Sequence, residues 1–363
     1  MWWRRRRTTG AGMAMNEGPR GLFPTGVALS LKQLIALMFV PLIAANIGLW
    51  IWALAAFHDH PVLLGTCALA YVLGLRHAVD PDHIAAIDNV TRKLMQEGRQ
   101  PVSVGLWFAL GHSALICMAV AAIAFTATSL SDARFESWRE IGGVISTICS
   151  ALFLFTIAVF NMVVLVNVWK TYRALQRTGR YEEDQLEKML QGRGFLARLM
   201  QPLFRLISKS WHMAPLGFLF GLGFDTATEI SLFSIAATES ARGFSPASIM
   251  IFPLLFTAGM ALIDTLDGVL MLGAYQWATV QPRRKLVYNL VITALSVAVA
   301  LFIGLLETLA LFGAKLELTD GFWSLVAAIN AWYGDLGFVI VALFAAVWLG
   351  AWLFYRSKRM ALS

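Results

Sequence analysis

The sequence predicts an all-α integral membrane protein with about eight transmembrane helices. Hydrophobic residues make up 58% of the 363-residue chain and charged residues only 14%, whereas soluble domains average roughly 45–50% and about 25%. Apolar windows of about twenty residues, long enough to cross a bilayer, occur eight times. They lie at 33–57, 62–88, 102–129, 141–169, 213–238, 247–274, 286–313 and 333–355.

The distribution of Lys and Arg between these spans predicts the orientation. Of the 29 basic residues, 24 fall in the two termini and in the segments 92–99, 170–209 and 283–285, all on one side of the membrane, while 4 fall on the other side. Basic residues concentrate on the cytoplasmic side. We therefore expect both termini to be cytoplasmic, in a bacterial inner (plasma) membrane.

The same pattern divides the chain into five parts. Residues 1–32 form a flexible basic cytoplasmic tail, 33–169 hold spans one to four, 170–212 form a basic cytoplasmic loop, 213–356 hold spans five to eight, and 357–363 are the cytoplasmic C-terminus. The loop contains an amphipathic stretch at 181–200, which we expect to rest on anionic membrane lipids. The first apolar run lacks a cleavage pattern, so it predicts an uncleaved anchor rather than a signal peptide.

Two other classes of protein fit the composition poorly. The net charge of +7 could indicate a nucleic-acid partner, but its basic residues lie between spans and report orientation instead. The cysteines Cys67, Cys117 and Cys149 lie in apolar runs without CxxC spacing. They are typical of small buried residues rather than of a disulfide framework or a metal cluster.

Ionisable residues interrupt the second span. An apolar run from Val62 to Leu75 is followed by Arg76, His77, Asp80, Asp82, His83 and Asp88. Such groups are costly in hydrocarbon and mark functional sites. The alternative is a purely structural ion-pair cluster, in which Arg76 neutralises an aspartate and the histidines hydrogen-bond to backbone carbonyls. Such a cluster does not need two histidines.

The geometry and chemistry of this stretch indicate a metal site. In a continuous helix, at about 100° per residue, one broad face would carry His77, Asp80, His83 and Asp88, whereas Asp82 would point elsewhere. Pro81 cannot donate a backbone hydrogen bond, so it predicts a kink or break at this depth. Imidazole nitrogen with carboxylate oxygen is the ligand set of divalent nickel, cobalt, zinc or iron.

Three further spans carry polar residues at the same depth. His112 interrupts span three, Asp225 and Glu229 share a face of span five, and Asp264 and Asp267 share a face of span six. In the first external turn, His58 and His60 either collect metal at an entrance or are simply solvated. We predict metal ligands at His77, Asp80, Asp82, His83 and His112, a metal pathway along Asp88, Asp225, Glu229, Asp264 and Asp267, and a gating or counter-ion role for Arg76.

Four segments carry a family resemblance. Residues 76–84 (RHAVDPDHI) resemble the His-x4-Asp-His signature of the nickel/cobalt permease (NiCoT) family of secondary metal transporters. Segments 110–113 (LGHS), 222–230 (LGFDTATEI) and 259–268 (GMALIDTLDG) match further motifs of that family in the same order. The sequence departs at Pro81, where alanine is more usual. The resemblance implies an ATP-independent permease that imports Ni²⁺, Co²⁺ or both as substrate and holds no cofactor.

Alternatives to import follow from the same residues. The sequence contains no G-x-x-x-x-G-K-[ST] motif, so we expect no ATP hydrolysis by this chain, and no ATPase subunit is evident. Efflux by the same fold remains open, because ligands do not encode direction. An intramembrane metalloenzyme is disfavoured, since H-E-x-x-H is absent and acids spread over several spans suit a pathway. We therefore predict that the chain is not an enzyme.

Charge and internal similarity add two expectations. The seven inward acids exceed Arg76 by six formal negative charges, which a divalent cation or protons would balance. Segment 73–75 with Asp82 parallels segment 220–222 with Glu229 at the same offset. Because spans two and five run in opposite directions, the core is expected to be an inverted repeat of three-span units.

Overall fold

The protein is helical throughout the part of the chain that the structure describes. This computed structural model describes residues 30–126, 133–178, 207–223, 226–278 and 282–360. The helices in chain order are α1 (Leu31–Phe57), α2 (Pro61–His77), α3 (Pro81–Gln96), α4 (Val104–Thr126), α5 (Ala133–Thr178), α6 (Met213–Phe220), α7 (Ala227–Ala241), α8 (Pro246–Ile249), α9 (Ile251–Ala278), α10 (Pro282–Lys315), α11 (Phe322–Ala331) and α12 (Tyr333–Met360).

The number of apolar helices agrees with a multi-pass membrane protein. Among the described residues, six helical segments are long and apolar enough to cross a bilayer, and two bent helix pairs raise this number to eight if each pair is one span. The predicted eight spans correspond to that upper count. Two differences are that α5 continues to Thr178, past the predicted end at 169, and that the short apolar helix α11 was not predicted.

The first bent pair is α2 and α3, which meet at 53° around residues 78–80. Pro81 is the first residue of α3, where its missing N–H is not needed. Asp80 precedes it with an extended backbone (ψ 143°), as a residue before proline prefers. The break that Pro81 predicts is therefore confirmed, and the two halves of the second span point in different directions.

The second bent pair joins the segment 210–223, which contains α6, to α7 at 75°. A 3₁₀ turn over Gly221–Gly223 follows α6, and Thr226 is the N-cap of α7, its side chain accepting a hydrogen bond from the Glu229 amide. An N-cap of this kind satisfies an amide that the helix cannot. Asp225 and the stretch 181–200 lie outside the described residues.

Glycines allow the broken helices to approach their neighbours closely. A Cβ placed on Gly111 of α4 would collide with the backbone of Ala214 in α6, and one on Gly74 of α2 would collide with the backbone of Phe256 in α9. One on Gly259 would come within 2.7 Å of the Tyr71 carbonyl oxygen. Helices in membranes associate through such small residues, so α2 packs on α9 and α6 packs on α4.

We expect Gly111→Ala to destabilise the protein, because the added methyl group must push α4 away from the α6 backbone. Overpacking of this kind typically costs about 1–3 kcal/mol. The measurement is the thermal unfolding midpoint of the purified protein in detergent. Gly48→Ala is the matched control, because a Cβ there meets nothing within 4 Å. An equal midpoint for both variants would contradict the predicted close contact.

Candidate metal centre

Three buried histidines meet where the two broken spans and α4 converge. His77 is the last residue of α2, His83 lies in the first turn of α3, and His112 lies within α4. They are 1%, 0% and 3% exposed, and one ligand atom from each lies within 4.8 Å of the others. Among the described residues this is the group of three that could hold a metal ion. We call it the histidine cluster.

The break in the second span brings His77 and His83 close enough to share one cluster. On a continuous helix, six residues would separate His77 and His83 by about 9 Å along the axis and about 120° around it. In the bent pair, the centroids of the two rings lie only 4.8 Å apart. The sequence predicts both imidazoles on one broad face of a regular helix. In the structure they lie on either side of the bend between α2 and α3, and the bend brings the two rings together.

Glu229 completes the cluster from the first turn of α7. Its Oε1 lies 3.1 Å from His112 Nε2 and 4.0 Å from His77 Nε2, and the side chain is buried. The Nε2 atoms of His77 and His112 are themselves 2.9 Å apart. Two imidazole nitrogens approach this closely when they share a proton or a metal ion. Glu229 was predicted as a pathway residue, whereas the structure brings it into contact with the histidine cluster.

Other carboxylates stand behind the histidines. Asp80 Oδ2 lies 3.0 Å from His77 Nδ1, and its Oδ1 accepts a hydrogen bond of 2.8 Å from Arg76. Asp264 lies 3.3 Å from His83 Nδ1, and no described residue partners the buried Nε2 atom of His83. A carboxylate on Nδ1 fixes the tautomer and ring orientation of a metal-binding histidine. Asp80 and Asp264 thus occupy the positions of orienting groups.

The spacing and charge of the cluster fit a divalent cation. For metal–nitrogen bonds of about 2.1 Å, ligand atoms at 90° to each other are about 3.0 Å apart, close to the observed 2.9 and 3.1 Å. Among the described residues, Asp80, Glu229 and Asp264 contact the histidines, and the Arg76 guanidinium pairs with Asp80. If all are ionised the formal charge is minus two, which one divalent ion neutralises.

The structure separates two predicted pathway residues from the cluster. Asp88 is fully buried and forms an ion pair of 2.6 Å with Arg92, and Ser296 of α10 donates to it at 2.7 Å. Asp267 is half-buried and three residues beyond Asp264 on α9. Neither has a described contact with the histidines, although each has one buried carboxylate oxygen without a described partner.

The predicted excess of six negative charges needs correction. The count assigned Arg92 and Lys93 to a cytoplasmic segment, but both are buried, at 0% and 2% exposure. Because the Arg92 guanidinium neutralises Asp88, fewer acids remain unpaired.

The remaining predicted residues lie outside the histidine cluster. Asp82 is half-buried next to His83, while His58 and His60 are exposed at the turn between α1 and α2. His58 Nε2 lies 2.8 Å from the Asp59 carboxylate.

Two threonines were missed from the sequence. The buried Thr228 hydroxyl lies 3.0 Å from His77 Nδ1, and the Thr226 hydroxyl donates to Glu229 Oε2 at 2.9 Å. Both belong to the LGFDTATEI segment that contains Glu229, so the signal available was their position beside an acidic residue at membrane depth.

The fold and site define a multi-pass membrane protein with a buried cluster of histidines and carboxylates that could hold a metal ion. Comparison with known proteins gives the family: residues 63–354 match the model of the NicO family, described as "High-affinity nickel-transport protein". The chain belongs to this family. It is therefore a transport protein and not an enzyme, which removes the metalloenzyme alternative.

Curated relatives agree with the family over most of their lengths. The chain is 54% identical to "High-affinity nickel transport protein" of Cupriavidus necator over 90% of this chain and 92% of the relative. It is 44% identical to "Nickel transporter NixA" of Staphylococcus aureus, over 86% and 90%. It is 39% identical to "Cobalt transport protein NhlF" of Rhodococcus rhodochrous, over 82% and 84%. No solved structure matches the chain.

Proposed function

We propose that this protein is an ATP-independent permease that imports Ni²⁺, Co²⁺ or both through the histidine cluster and Glu229. The observation that carries the proposal is the convergence of three buried imidazoles and one buried carboxylate from both broken spans and α4. Nitrogen and oxygen donors of this kind suit both ions. The names of the relatives support these substrates, and the absence of a P-loop motif in the sequence supports ATP independence.

Transport then proceeds by alternating access around a fixed site. The α2–α3 and α6–α7 pairs are both broken at membrane depth, and each packs through glycine against an unbroken helix, α9 or α4 respectively. In the inverted repeat, α2–α3 and α4 of one half correspond to α6–α7 and α9 of the other half. The contact of α2 with α9 therefore corresponds to the contact of α6 with α4, as such a repeat requires. Both termini lie in the cytoplasm by the distribution of basic residues. Rocking one half against the other opens the centre alternately to each side.

The first test is the nickel and cobalt content of cells at trace external metal, measured by elemental analysis. Cells that express the wild-type chain are expected to accumulate metal above an empty-vector control. His77→Ala is expected to abolish the difference, because it removes a ligand atom 2.9 Å from His112 Nε2. His212→Ala serves as the control histidine variant, since His212 accepts a hydrogen bond from the Ser208 amide and is not part of the histidine cluster.

Each alternative outcome has a distinct meaning. Wild-type accumulation below the vector control would show efflux by the same ligands. Equal accumulation in wild-type and vector cells, with the protein present in the membrane, would overturn the assignment to nickel and cobalt. Retained accumulation in His77→Ala would overturn the placement of the site.

A further inference from the structure

Two threonine hydroxyls connect ligands that belong to different broken spans. His77 Nδ1 lies 3.0 Å from Thr228 Oγ1, Thr228 Oγ1 lies 3.0 Å from Thr226 Oγ1, and Thr226 Oγ1 lies 2.9 Å from Glu229 Oε2. The chain of hydrogen bonds therefore begins on a ligand of α2 and ends on a ligand of α7. It runs behind the metal centre, on the ligand atoms that face away from it.

The chemistry of the groups fixes the direction of every proton in this chain. An ionised carboxylate only accepts hydrogen bonds, and a hydroxyl has a single proton to donate. The Thr226 hydroxyl therefore donates its proton to Glu229 and cannot also donate to Thr228, so Thr228 donates to Thr226. Thr228 then has no proton left for His77 and can only accept from it. The Nδ1 atom of His77 must carry the proton, and its Nε2 atom must carry the lone pair.

The same chain leaves the Thr226 oxygen fully used. It accepts from Thr228 and from the Glu229 amide at 3.4 Å, which also caps α7. Asp80 accepts from the same His77 N–H at 3.0 Å, so a carboxylate and a hydroxyl favour one tautomer. Glu229 Oε1 and His77 Nε2, which face the centre, are thereby both presented as unprotonated electron-pair donors.

We infer that Thr226 and Thr228 are positioning residues: their hydrogen-bond chain to Glu229, together with Asp80, holds His77 with Nδ1 as the donor and Nε2 free to bind metal, and so fixes the ligands of the two broken spans relative to each other. The inference rests on the proposed function, because it assigns these threonines to the same metal centre. Thr228 is the better residue to test, because Thr226 also caps α7. Loss of the Thr228 hydroxyl breaks the hydrogen-bond chain without removing a ligand or a charge.

The experiment is Co²⁺ binding to the purified full-length protein, followed by calorimetry and by the visible absorption spectrum of the bound ion. Thr228→Val removes the hydroxyl at nearly constant volume and is expected to raise the Kd by about tenfold, the equivalent of one hydrogen bond of about 1.4 kcal/mol. Its Co²⁺ spectrum is expected to change, because the His77 ring keeps Asp80 but loses the second of the two acceptors on Nδ1 that orient it. Thr228→Ser keeps the hydroxyl and is expected to stay within about twofold of the wild type.

Thr238→Val is the matched control, because this threonine is exposed on the same helix and the described partner of its hydroxyl group is the Ser234 carbonyl. It is expected to leave the Kd and the spectrum unchanged. Thr228→Ala carries the same expectation as Thr228→Val if the valine variant does not fold.

Three outcomes would overturn the inference or its basis. A Thr228→Val or Thr228→Ala variant with wild-type affinity and spectrum would overturn it, and so would a Thr228→Ser variant as defective as the valine variant. A wild-type protein that binds no Co²⁺ or Ni²⁺ would instead overturn the proposed function.

Discussion

Glu229→Gln is expected to lower the initial rate of Ni²⁺ uptake at trace concentration by about 100-fold. Glu229 supplies the carboxylate that contacts the histidine cluster, at 3.1 Å from His112 Nε2. Glutamine still accepts the hydrogen bond from Thr226 but has no charge. Losing a charged partner of a buried site costs about 3 kcal/mol, which is a factor of about 100 in binding. Radioactive nickel uptake, normalised to the amount of protein in the membrane, measures the effect.

Glu239→Gln is the control for this prediction. Glu239 lies on the same helix and is also buried, but its described partner is Arg242, at 2.9 Å, near the end of α7. Uptake by this variant is expected to match the wild type. Should Glu229→Gln transport nickel within threefold of the wild type, Glu229 would not be a ligand, and the metal would be held by the histidines alone.

The histidines and acids of the site could be predicted from the sequence, but which of them face the cluster and which orient a histidine could not. The imidazoles of His77, His83 and His112 stand out because apolar helices exclude such groups. Asp80 has the chemistry of a ligand, yet its carboxylate contacts the Nδ1 atom of His77 and the Arg76 guanidinium. Which way an aspartate at a helix break points depends on the backbone of residues 78–80. A periodic projection assumes that this backbone is regular.

Long-range geometry explains the other differences. Glu229 reaches the histidine cluster because α7 turns by 75° relative to the segment before it, and no local pattern gives that angle. Arg92 follows the apolar part of its span, so a count of basic residues assigns it to the cytoplasm. It is buried because α3 packs against α9, α10 and α12. The burial of a charge depends on neighbours that are distant in the sequence.

Arg92→Met is expected to cause a large loss of stability. It would leave the fully buried Asp88 carboxylate without the guanidinium that lies 2.6 Å away. Breaking a buried pair on one side typically costs about 3–5 kcal/mol, whereas replacing both partners is often nearly neutral. The double variant Asp88→Asn/Arg92→Met is therefore expected to recover most of the loss. Thermal unfolding of the purified proteins, and their yield from membranes, measure both effects.

The double variant also decides what Asp88 does. Arg99→Gln is the control, because Arg99 is exposed at the end of the same segment, and it is expected to change stability by less than about 1 kcal/mol. The described contacts of Asp88 are with Arg92 and Ser296 and not with the histidine cluster. We therefore expect the stable double variant to retain nickel uptake within threefold of the wild type. If it is stable but inactive, Asp88 lies on the metal pathway, as the sequence predicts, and the Arg92 guanidinium is the counter-ion that the metal displaces.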